Sequence, residues 1–111
     1  MKTDTLSHEQ MIGAISQIPR GEGRTFKVGR RVIAVFRTHT DAVYATQAEC
    51  THEGGPLNEG KLEGETVTCP LHGSCFNIKT GALVHGPARQ PIQTFRVAIH
   101  GTIGSVESLR A

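Results

Sequence analysis

Apolar residues recur along this chain in short alternating runs, broken at intervals of about eight to twelve positions by glycine, proline, asparagine or aspartate, the spacing of a strand-and-turn protein. Residues 24 to 28 and 32 to 37 carry β-branched and aromatic side chains on either side of Gly29-Arg30-Arg31, which predicts a hairpin. Residues 42 to 46 follow Thr40-Asp41 as a third strand, completing an antiparallel meander. Further short strands are expected at 61–63, 66–68 and 75–78. Residues 94–99 and 103–106, parted by Gly101-Thr102, close the pattern. Residues 11–18 are ambiguous: Met11, Ile12, Ile15 and Ile18 fit a helical repeat, yet Pro19, Gly21 and Gly23 follow, so a short strand and a turn are expected. Such short strands predict an all-β fold, a barrel or a sandwich. No internal repeat, low-complexity segment or linker breaks the chain.

Composition narrows the class. The 111 residues suit one domain with one core, and 13 glycines, five prolines and 37% hydrophobic content suit a turn-rich globular chain. No apolar run approaches the length that spans a bilayer. The polar start, residues 1–10, lacks the apolar core of a secretory signal and has no twin-arginine pair, so a cytoplasmic protein is expected. A net charge of +2, with Lys and Arg dispersed, gives no reason to expect nucleic acid or a membrane surface as partner.

The candidate chemistry lies between residues 50 and 72. Cys50-Thr51-His52 is followed by a spacer, residues 53–68, and then Cys69-Pro70-Leu71-His72. Each Cys-His pair is short enough to sit on one loop, so two loops could converge four ligands on one metal site. Zinc sites with two Cys and two His usually group the cysteines first and the histidines after. Here each loop mixes both types. That order suits a binuclear centre in which one iron takes both thiolates and the other both imidazoles. A zinc site, or a buried thiol pair with two ordinary histidines, remains the plainer alternative.

The flanks add a resemblance. Residues 50–57 (CTHEGGPL) and 69–81 (CPLHGSCFNIKTG) resemble the two cluster-binding loops of the Rieske ferredoxin family, and Gly86-Pro87-Ala88 is similar to its third, proline-containing loop. The resemblance implies an antiparallel β sandwich or barrel, a Rieske-like fold, with a small cluster-binding subdomain inserted at about 47–86. It implies a Rieske-type [2Fe-2S] cluster, with Cys50 and Cys69 on the inner iron and His52 and His72 on the outer. Gly54, Gly55 and Gly73 would let the backbone approach the cluster. Pro70 and Pro87 would stiffen its loops. Asn77 stands where the family usually has an aspartate-led turn, and Asn can make the same turn.

Departures from the family pattern sort the chain within it. High-potential members brace the two loops with a disulfide, and the matching positions here are Gly55 and Leu71. Its loss fits a reducing compartment and the low-potential branch. Ser74 matches a serine that donates to sulfide in high-potential members, whereas the matching tyrosine is Phe76. Strand alternation turns Phe76 and Ile78 to the core, leaving Cys75 as a thiol outside the ligand set. His8, His39, His85 and His100 are assigned no metal, although His85 stands nearest the third loop and could shape a docking surface.

Charge accounts for the expected activity. With two thiolates and two neutral imidazoles the oxidised centre is neutral, so it accepts an electron more readily than an all-cysteine cluster, at about −150 to +300 mV against about −400 mV. No mononuclear iron triad, dinucleotide-binding glycine pattern or nucleophile motif is present, so substrate chemistry belongs to another protein. The resemblance thus implies a monomeric one-electron carrier of a ring-hydroxylating dioxygenase system. It would run between a flavoprotein reductase and a terminal oxygenase, meeting both transiently through His52, His72, Leu71, Pro56 and Pro87. The small subunit of an assimilatory nitrite reductase and a zinc-binding interaction module are the alternatives.

Overall fold

A computed structural model describes residues 9 to 107; His8 and the rest of the N-terminal stretch preceding Glu9 lie outside the described residues. The chain runs through β1 (Glu9–Ala14), β2 (Glu22–Val28), β3 (Arg31–Arg37), β4 (Val43–Gln47), β5 (Lys61–Glu63) and β6 (Thr66–Thr68). It continues through β7 (Cys75–Asn77), β8 (Leu83–His85), β9 (Thr94–Phe95), β10 (Val97–His100) and β11 (Ile103–Glu107). Single 3-10 turns stand at Ile15–Gln17 and Leu57–Glu59. The all-β expectation holds, and the ambiguous start is a strand followed by a turn.

The strands form three antiparallel sheets, in the orders β1-β11-β10, β2-β3-β4-β9 and β5-β6-β7-β8. β2 and β3 pair from Glu22↔Arg37 to Val28↔Arg31, so Arg31, expected in the turn, belongs to the strand. The single strand expected over 94–99 is two. β9 pairs with β4 through Ala45↔Phe95, whereas β10 pairs with β11 through Val97↔Val106, and Arg96 marks the change of sheet. β8, whose Leu83 lies opposite Phe76, is a strand that the alternation pattern does not announce.

β3 explains how the sheets are held together. Its run Ile33-Ala34-Val35-Phe36 is buried at every position. Successive strand residues face opposite sides, so a continuous apolar run must be covered on both. Ile33 and Val35 pack with Ile18, Val28, Ala45, Phe95 and Val106. Ala34 and Phe36 pack with Leu57, Leu62, Val67, Phe76 and Ile78, a cluster that also contains Cys50 and Cys69. Each such large apolar side chain contributes about 1.5 to 3 kcal/mol by leaving water. The central sheet therefore divides two cores, and the cysteines are anchored in one of them.

Candidate metal centre

The two candidate loops share one backbone. Residues 50–55 are closed by the bridge Glu49↔Pro56, and residues 69–74 by the pair Thr68↔Cys75. In the first, Cys50 N–H donates to Gly55 O (2.8 Å) and Gly54 N–H to Cys50 O (3.2 Å). In the second, Cys69 N–H donates to Ser74 O (2.7 Å) and Gly73 N–H to Cys69 O (3.2 Å). The third residue of each aims its amide at the cysteine sulfur: His52 N–H to Cys50 Sγ (3.3 Å) and Leu71 N–H to Cys69 Sγ (3.4 Å). The fourth and fifth residues of both take positive φ, +61° and +71° at Glu53 and Gly54, +76° and +82° at His72 and Gly73. The loops are thus the same six-residue knuckle. Histidine is its third residue in one copy and its fourth in the other, which is why the motif reads C-x-H and then C-x-x-H.

This arrangement gathers the four predicted residues. Cys50 and Cys69 are buried, while the side chains of His52 and His72 are 28% and 48% exposed. The imidazole rings meet edge to face with centroids 5.1 Å apart. Burial pushes the Cys69 thiol up, the Leu71 amide pulls it down, and the neighbouring Cys50 sulfur adds to the rise. A metal cation held by the two sulfurs would offset the cost of charge at this buried place. His52 Nδ1 is buried with no hydrogen-bond partner. An unsatisfied buried polar atom costs about 1 to 3 kcal/mol, and a bond to a metal would remove that cost. Amides aimed at sulfur, an unpartnered ring nitrogen and two adjoining thiols fit an iron–sulfur cluster with mixed ligands.

Glycine serves two different needs here. Gly54 and Gly73 answer the left-handed backbone, since a Cβ on Gly73 would meet no protein atom within 4 Å. Gly55 answers space: a Cβ there would run into Cys69 Sγ and stand 2.8 Å from Leu71 Cβ. That separation is shorter than the roughly 3.5 to 4.5 Å between the Cβ atoms of a disulfide, so this backbone is not spaced for one at these positions.

Ser74 is fully buried, and its Oγ accepts the Ala88 amide at 2.9 Å, tying the third loop to the second knuckle and leaving its own O–H to donate. Thr51 Oγ1 donates to Gln90 O at 2.8 Å and ties the same loop to the first knuckle. The Gly86–Pro87 peptide just before both ties is cis. Phe76 and Ile78 face the core, and Cys75 lies on β7 with its Sγ 3.3 Å from Thr68 Oγ1. Asn77 Oδ1 accepts from Lys79 and Thr80 amides at 2.8 and 2.9 Å, the turn that Asn was expected to keep. His85 is exposed on β8, opposite Cys75. His39 follows β3, and His100 ends β10.

One residue was missed. His72 Nε2–H donates to Glu53 Oε1 at 3.0 Å, and Glu53 Oε2 stands 3.9 Å from His52 Nε2. One donor atom from each of the three lies within 4.8 Å of the others. The signal was available, since Cys50-to-Gly54 and Cys69-to-Gly73 share the spacing C-x-x-x-G, which puts Glu53 in register with His72.

The chain is similar to known proteins over most of its length. The Rieske [2Fe-2S] domain family matches residues 8–96. Ferredoxin CarAc of Metapseudomonas resinovorans is 40% identical over 76 residues, covering 68% of this chain and 70% of its own. The anthranilate 1,2-dioxygenase ferredoxin subunit of Burkholderia cepacia is 33% identical over 99 residues, 89% of this chain and 91% of its own. Among solved structures, a complex of reduced oxygenase and oxidized ferredoxin in carbazole 1,9a-dioxygenase contains a chain that matches with TM-score 0.82 and 31% identity. The match covers 94% of this chain and 99% of that one. The chain belongs to the Rieske [2Fe-2S] family, and a Rieske-type cluster is its cofactor. It is an electron carrier of the ferredoxin kind and not itself a catalyst. Among the described residues no helix is long and apolar enough to cross a membrane.

Proposed function

We propose that Cys50 and Cys69 hold the inner iron and His52 and His72 the outer iron, and that the protein carries electrons from a flavoprotein reductase to the terminal oxygenase of a ring-hydroxylating dioxygenase system. The observation that carries the ligand assignment is the buried, unpartnered Nδ1 of His52 beside sulfurs that already receive amide hydrogen bonds. When bound, the cluster takes up and returns one electron. The chain's own residues hold it against the Phe76 core and leave the imidazole edges at the surface. Leu71, Pro56 and Pro87 are exposed and would supply a small apolar rim to those edges. A rim of that kind suits the small, short-lived interfaces of redox partners. Residues 47–86 would act as the cluster-binding subdomain, and the carrier would work as a cytoplasmic monomer.

The partner reading is supported by relatives that are ferredoxin components of dioxygenases and by a similar ferredoxin solved with its oxygenase. It is tested by photoreducing the holo-protein and mixing it with a terminal oxygenase of the anthranilate type. Bleaching of the oxygenase cluster within milliseconds is expected; no transfer to any ring-hydroxylating oxygenase would overturn the reading. For the ligands, His72→Cys should leave a cluster of much lower potential or none, because a third thiolate adds negative charge. An unchanged spectrum and potential would remove His72 from the set.

A further inference from the structure

We infer that Glu53 tunes the bound cluster: its carboxylate, hydrogen-bonded to His72 Nε2, lowers the reduction potential. This rests on the reading that His72 is a ligand. The backbone sets up the contact. Glu53 is the fourth residue of the first knuckle as His72 is of the second, and both take left-handed φ, +61° and +76°. Two copies of one knuckle therefore project their fourth side chains toward each other. The Glu53 carboxylate, on a side chain 62% exposed, closes the 3.0 Å bond between them. A non-glycine residue at positive φ is uncommon and needs surrounding structure to hold it. Here the ladder bonds from Cys50 to Gly55 and from Gly54 to Cys50 do so.

The electrostatic consequence has one sign. An acceptor on the outer nitrogen of a metal-bound imidazole raises the basicity of the ligand, and a full negative charge favours the more positive state of the metal centre. The oxidised cluster carries one more positive charge than the reduced one, so the carboxylate stabilises the oxidised form. His52 Nε2, at 3.9 Å, feels the charge without a hydrogen bond. Its ring also keeps an outer N–H that Glu53 does not bind. The effect acts mainly through His72.

The test compares Glu53→Gln, Glu53→Ala and Glu53→Asp with the wild-type holo-protein by potentiometry, with nitrogen hyperfine spectroscopy of the reduced cluster as the check on ligation. Glu22→Gln, on β2, serves as the control for a loss of charge elsewhere. Gln keeps an acceptor and removes the charge, so the ratio of reduced to oxidised protein at fixed applied potential should rise about three- to tenfold, the scale of a partly screened charge a few ångströms away. Ala should shift it at least as far, Asp least. Because the carboxylate is exposed, the gap between wild type and Glu53→Gln should narrow as salt is raised. Two nitrogen couplings with an unmoved potential in both Gln and Ala variants would overturn the inference and leave the ligand reading standing. Absence of two nitrogen couplings in the wild type would overturn the ligand reading itself. Failure of all three variants to retain a cluster would also overturn the inference, since Glu53 would then be needed to hold the cluster and not to tune it.

Discussion

Asp41 shows how a single side chain is tied down far from the cluster. It sits at φ +73° and accepts Arg20 Nε and Nη2 at 3.1 and 2.9 Å and Arg37 Nε at 2.7 Å, while Arg37 Nη1 holds Ile18 O at 2.9 Å. The hydrogen bonds from Arg20 and Arg37 bring its carboxyl down from 3.8 to about 2. A carboxyl lowered on folding stabilises the native state fully above its unfolded value and ceases to do so as pH falls through its folded value. Asp41→Asn, which tolerates the same backbone, should therefore lower the urea midpoint by a constant amount above about pH 4, and the difference from wild type should vanish toward pH 2. A difference independent of pH over that range would mean that shape, not charge, ties this turn. Ser74 supports a second expectation. Removing its hydroxyl orphans the Ala88 amide, and takes a donor from the cluster's surroundings. Ser74→Ala should cost about 1 to 3 kcal/mol in denaturant titration and lower the potential by about 20 to 60 mV, one hydrogen bond expressed for a one-electron couple. Lost stability with a fixed potential would mean that the hydroxyl serves only the third loop.

At the scale of elements, the repeated knuckle makes equal demands on two glycines. Ala at Gly54 or Gly73 should each cost about 1 to 2 kcal/mol through left-handed φ alone, whereas Gly55→Ala should block cluster assembly because its Cβ meets the Cys69 sulfur. Denaturant midpoints and iron content separate the two effects. Equal iron loss in all three would show that conformation and not space governs assembly. These elements were unevenly legible. The β2–β3 hairpin announced itself because its apolar residues flank a turn, and the Cys and His pairs because their spacing is chemical and needs no neighbours. The break at Arg96 was hidden, since 94–99 alternate as one strand and only pairing with different sheets divides them. β8 was hidden because three residues with Val84 exposed carry no periodicity. Glu53 was overlooked because a surface glutamate beside a histidine looks ordinary until the two loops are aligned on their cysteines.

At the scale of the whole molecule, the doubly buried β3 separates stability from cofactor retention. Ile33→Ala removes packing from the core remote from the cysteines and should cost about 2 to 5 kcal/mol without altering the cluster's spectrum. Phe36→Ala opens the core that contains Cys50 and Cys69, and should cost about 3 to 5 kcal/mol while also releasing iron well below the unfolding midpoint. If both variants kept iron until the chain unfolds, the two cores would be one cooperative body as far as the cluster is concerned. The paired knuckles carry a further consequence, for speed. The amides that face Cys50 and Cys69 are fixed by bonds within each knuckle, so the dipoles around a cluster held there would already be aimed before its charge changed. Few atoms then have to move when the electron does. A carrier built in this way would be limited by its encounter with a partner rather than by nuclear rearrangement.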